Sequence, residues 1–172
     1  IDKLTGSDWR LIIAGSVDEK SEDSVSHFKS ALSRASQRED IEIYANVDRA
    51  VLSQLLDQAA MYIHATGLTK DQMNEPHLHE HYGITVVEAL THGCYPVVYE
   101  HGGPSEIVRE CNLDFKNNIF TSAKSLIGAI SKSTCFLGPL IEGEQWESFK
   151  IIQRQAMDYI SEKEKQNTQV LS

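Results

Sequence analysis

Apolar positions along this chain recur with two periods that replace one another, and the exchange predicts alternating strands and helices. Trp9 to Gly15 is a short, nearly unbroken apolar run closed by glycine, the pattern of a strand buried on both faces of a parallel sheet. Val25, Phe28, Leu32 and Ala35 then recur at helical spacing, opposed by Lys29, Arg34 and Arg38. Ile41 to Ala45 reads as a second strand. Asp48 is placed to cap a helix whose apolar members are Val51, Leu52, Leu55, Leu56 and Ala59. Met61 to Ala65 makes a third strand, and residues 67–79 are polar and turn-rich around Pro76, an insertion able to close as a lid. Gly83 permits a tight turn into Ile84, Thr85, Val86, Val87, Ala89 and Leu90, apolar on nearly every side as in a helix within a core. His92-Gly93 ends that helix.

Tyr95 to Tyr99 is a further strand with Pro96 near its start, where a missing donor is tolerated. Gly102-Gly103-Pro104 turns the chain into a short helix over Ser105 to Arg109. A small strand near Asn118 to Phe120 and a helix through Ala123, Leu126, Ile127 and Ile130 follow. From about Gly143 a long helix carries Phe149, Ile152, Ala156, Tyr159 and Ile160 on one stripe and frays after Glu162. This order predicts an α/β fold: a Rossmann-like, doubly wound parallel sheet with helices on both faces, binding ligands at the carboxyl ends of its strands. There is no internal repeat and no low-complexity linker.

Composition narrows the class. The 172 residues amount to one domain with a sizeable core, spanning 1–172, and 41% are hydrophobic. A formal charge of -9, from 16 basic against 25 acidic residues, excludes a nucleic-acid binder, which needs clustered Lys and Arg. Cys94, Cys111 and Cys135 are odd in number and lack metal-binding spacing, which implies a reducing compartment and no structural metal. No apolar run is long enough for a transmembrane segment and no signal peptide precedes Ile1. Ile1 to Gly6 has the look of a helix tail with a glycine stop, so the chain is expected to be part of something longer.

The chemistry concentrates in Glu80 to Glu88, which sets two carboxylates eight positions apart across a loop-to-helix junction. Glu88 in an apolar helix needs hydrogen-bond donors, from backbone or from a bound polyol. The first-turn amides near Gly83 to Thr85 favour an anion such as phosphate. Two acids flanking a phosphate-ready helix start suit a nucleotide sugar. Taken alone, the pair has a plainer explanation, Glu80 solvated in a loop and Glu88 paired with a Lys or Arg.

Glu80 to Glu88, with Ala89-Leu-Thr-His-Gly-Cys-Tyr-Pro-Val-Val and Gly102-Gly-Pro-Ser-Glu-Ile-Val108, resembles the carboxy-terminal, donor-binding half of GT-B glycosyltransferases of family four, retaining enzymes with a Glu-x7-Glu motif. The likeness runs from about Trp9 to the final helix. It implies a sugar transfer from a nucleotide-sugar donor to a glycan or lipid-linked acceptor, with Glu80 facing the transferred sugar as the catalytic residue. Glu88 would bind the ribose hydroxyls and the segment Gly83, Ile84 and Thr85 the diphosphate, with Tyr82 beside them among the donor-binding residues. Asn46 and Val47, after the second strand, would lie against the nucleobase. The family requires no cofactor and normally no metal; the donor is a substrate. The acceptor would be met through an amino-terminal domain that has no counterpart here, in a two-domain enzyme acting in the cytoplasm, with peripheral membrane association open to the full-length protein.

The departures carry expectations too. The family's first strand, with its glycine and basic residues, has no match before Trp9, and its loss should leave a gap between the strands at Leu11 to Ala14 and Met61 to Ala65. These 172 residues are therefore expected to have no transferase activity of their own. Gly15-Ser-Val-Asp replaces the usual glycine-rich turn. Rival readings are a non-catalytic binding or scaffold module, or a nucleotide-sugar epimerase or phosphorylase of the same fold.

Other residues have bland readings beside sharp ones. His77, His79 and His81, with Glu75 and Glu80, form a candidate metal face but read better as a solvated lid. His64, closing a buried strand, either hydrogen-bonds the donor or satisfies a core carbonyl. Glu106 reads as a helix-start acid, and Trp146, Phe149 and Tyr159 as packing rather than a sugar platform.

Overall fold

A computed structural model of the chain describes residues 9–68, 82–111 and 118–142, together with 158, 161 and 162. Strands and helices alternate: β1 (Leu11–Gly15), α1 (Glu22–Ala35), β2 (Ile41–Ala45), α2 (Arg49–Asp57), β3 (Met61–His64), α3 (Ile84–Thr91), β4 (Tyr95–Tyr99), α4 (Gly103–Glu110), β5 (Ile119–Phe120) and α5 (Ala123–Glu142). Every strand pairing is parallel. The fold is α/β and Rossmann-like, parallel sheets with helices on both sides, as the alternating periods predict. Residues 69–79 of the lid segment, the histidine-rich stretch and Glu80, Trp146, and the final stripe of Phe149, Ile152, Ala156, Tyr159 and Ile160 lie outside the described residues.

The chain divides into two compact units, Ile1–Leu55 and Leu56–Ser172. Among the described residues β1 and β2 form one sheet and β3, β4 and β5 another. In the first unit β1 runs beside β2 with Leu11 opposite Ile41 and Gly15 opposite Ala45. Helix α1 starts where Ser21 accepts a hydrogen bond from the Ser24 amide at 3.3 Å, behind the acidic first-turn residues Glu22 and Asp23, so cap and dipole act together. Its stripe is shallow: Ala35 is buried but Leu32 is 41% exposed.

One expectation is corrected here. β1 is not buried on both faces, because Ile12 and Ile13 are exposed. The physical reason is local: within its sheet β1 has a single neighbour, and a two-stranded ribbon has too little surface to cover both faces of an edge strand.

The second unit holds the packed core. β4 lies between β3 and β5, and all five of its residues are buried. Successive strand residues face opposite sides, so both faces of β4 are covered, and α3 and α4 pack against it. Val86, Ala89 and Leu90 of α3, Ile107 and Val108 of α4, Phe120 and Ala129 complete this core. Cys94 and Cys111 are buried free thiols within it. Burial pushes the Cys94 thiol up to about 12, with the Asp57 carboxylate adding to the effect, and Cys111 up to about 11. Neither is a nucleophile near neutral pH.

Candidate functional site

Three strand-to-helix passages of the second unit open at strand carboxyl ends, and two of them meet. Gly83 precedes α3 with φ 66, in the left-handed region, and its position leaves no room for a side chain. A Cβ there would stand 2.8 Å from Ile107 Cδ1 and 3.1 Å from the Pro104 nitrogen. The start of α3 is thus seated directly on the start of α4. Glycine is required twice over, by conformation and by space.

What this seating leaves open is the first turn of α3. The Val86 and Val87 amides both donate to the Gly83 carbonyl, at 2.9 and 3.1 Å. The Ile84 and Thr85 amides, ahead of them, are the ones a helix leaves without an internal acceptor. Tyr82 and Ile84 are 79% and 64% exposed, and Thr85 is exposed as well. Three predicted donor-site residues therefore surround an accessible, electropositive helix end, while the fourth, Gly83, is buried beneath it.

Glu88 calls for a second correction. It is half-buried rather than enclosed, because α3 is not apolar all round in its setting. Val86, Ala89 and Leu90 form the buried side. At 100° per residue Glu88 falls opposite them, one turn beyond Ile84 on the same face. Its carboxylate belongs to the face that begins at the open amino end. Its carbonyl accepts from the Thr91 hydroxyl at 2.7 Å and the His92 amide at 3.2 Å, closing the helix. His92 then donates from Nδ1 to Asp57 at 2.6 Å.

His64 ends β3, buried, opposite Val98 of β4. The Tyr62 hydroxyl stands 3.4 Å from its Nδ1, on the same face of the strand. Asn46 and Val47 belong to the other unit. Asn46 adopts φ 53 and uses its side chain on the turn after β1: its carbonyl oxygen accepts from the Val17 amide at 2.8 Å and its amide donates to the Val17 carbonyl at 3.2 Å. That exchange explains the residue type by itself, since asparagine tolerates the left-handed region and bonds locally. It also gives Gly15-Ser-Val-Asp a structural tie.

Sequence reasoning located the turn between β4 and α4 but gave no role to His101, Ser105 or Arg109 in it. Ser105 is buried, and its hydroxyl lies 2.7 Å from the Glu100 carbonyl and 3.1 Å from that of Gly102, while Arg109 donates to its oxygen at 3.1 Å. His101 Nε2 lies 3.5 Å from a Glu100 carboxylate oxygen, and its ring meets Tyr99 edge to face at 5.1 Å. The double glycine was the available signal, because Gly102 takes φ 85 to start the helix. Among the described residues no group of His, Cys, Asp and Glu is arranged to hold a metal, and no helix is long and apolar enough to cross a membrane.

The family model for Glycosyl transferases group 1 matches residues 1–132 of the chain's 172. Comparison with curated proteins gives no match.

Proposed function

The chain belongs to the group 1 glycosyl transferases, and on that premise we propose that it binds the nucleoside diphosphate of a sugar donor at the amino end of α3. The observation that carries this reading is the wedge at Gly83, which sets two helix starts together, with Ile84 and Thr85 of the first turn of α3 exposed. A helix start favours anions through both its unpaired amides and its dipole. Glu88, on the face that continues from those amides, holds the ribose hydroxyls. Glu80 faces the transferred sugar.

In this account the reaction follows the retaining course of family-four GT-B enzymes. The bond from the anomeric carbon to the diphosphate oxygen breaks, the acceptor hydroxyl oxygen bonds to the same face, and its proton passes to the departing diphosphate. Charge grows on the departing diphosphate, so fixed dipoles aimed at it stabilise the transition state more than the ground state. The chain serves as the donor-binding domain, with a second domain presenting a glycan or lipid-linked acceptor. In the full-length enzyme, Glu80→Ala abolishes sugar transfer while leaving the unfolding midpoint unchanged. Undiminished transfer by that variant contradicts the assignment.

A further inference from the structure

We propose that His101 contacts the donor diphosphate and supplies positive charge to it, its ring held in place by Glu100 and Tyr99. This rests on the donor-site reading above and names a residue for that same site.

The need for a cation is a matter of magnitude. Each helix start is worth about half a unit of positive charge, so α3 and α4 together offer about one. The diphosphate of a sugar donor carries about two negative charges, one on each phosphate, and the departing nucleoside diphosphate gains more as its terminal phosphate is freed. The chain as a whole is acidic, with a formal charge of -9. Of the residues between β4 and α4, only His101 can carry a positive charge.

Its position matches the need. Pro104, three residues on, is the residue against which Gly83 is wedged. Three residues span at most about 11 Å even when extended, so His101 starts within reach of the open α3 turn. The turn is also held: the Ser105 hydroxyl ties back the carbonyls on either side of His101, those of Glu100 and Gly102. Tyr99 meets the ring edge to face and itself packs on buried Phe120 at 5.8 Å, so the histidine is braced from the core. A third of the side chain stays exposed. The Glu100 carboxylate stands 3.5 Å from Nε2 and helps fix the orientation of the ring. A braced imidazole ring beside two helix starts loses little freedom on meeting a phosphate.

The experiment is calorimetric titration of the 172-residue chain, and of His101→Gln and His101→Lys, with a panel of nucleoside diphosphates. Thermal unfolding is measured alongside. The wild type is expected to bind at least one member. H101Q should bind it roughly 10- to 100-fold more weakly, the value of one charge-assisted hydrogen bond. H101K, which keeps the charge, should recover most of the affinity, with all three unfolding midpoints alike. Equal affinity of H101Q and wild type overturns the role of His101 and leaves the donor site standing. H101K as weak as H101Q, or lowered midpoints in both variants, makes the histidine structural and also overturns it. A wild-type chain that binds no diphosphate overturns the donor-site reading and this inference together.

Discussion

β1 and β4 are both five-residue, largely apolar strands in parallel ladders, yet Ile12 and Ile13 of β1 are 37% and 43% exposed while every residue of β4 is buried. Their own letters do not separate them; their neighbours do. β4 has a strand on each side and helices packed against it, whereas β1 has one strand partner within its sheet. The helices repeat the contrast, since α1 buries only Ala35 and α4 buries five of its residues. The candidate diphosphate site is built on the well-packed unit, where a wedge such as Gly83 against Pro104 can be kept rigid.

That contrast is breakable by substitution. The largest effect belongs to Phe120→Ala, which empties a fully buried position beside β4 and should cost about 3–5 kcal/mol in urea unfolding. A cost below about 1 kcal/mol would mean that the second unit is not tightly packed. Next comes Gly83→Val, which forces a branched side chain into the left-handed region and against Ile107 and Pro104. It should cost about 1–3 kcal/mol and abolish diphosphate binding. Binding at wild-type strength would separate the wedge from the site. Smallest is Ile13→Ser in β1, expected to shift stability by no more than about 1 kcal/mol, because the side chain is already much exposed. A loss as large as that of Phe120→Ala would show that β1 is covered in solution.

Much of this was legible in the letters. Alternating periods located every described strand, and Gly83 marked the turn before α3 because a glycine ahead of an apolar helical run has few other uses. Periodicity could not tell whether an apolar run finds partners, and so β1 reads as buried on both faces and is not. For Glu88, an all-round apolar pattern hid a one-sided burial, because Ile84, apolar by letter, lies on the open face. The contact of Gly83 with Pro104 and Ile107 joins residues more than twenty positions apart, beyond the range of any local pattern. His101 was overlooked for a different reason, since its contacts are local but depend on how the turn folds. Its orientation comes from Tyr99, Glu100 and Ser105 acting together across a turn that spacing alone does not describe.

The central claim is that a diphosphate docks on the first turn of α3. The most direct measurement is nuclear magnetic resonance of the uniformly 15N-labelled chain during titration with nucleoside diphosphates. The account predicts that the Ile84 and Thr85 amides move most, with Gly102 and Gly103 following and the amides of α1 unmoved. Saturable shifts centred elsewhere, with Ile84 and Thr85 unchanged, would contradict it.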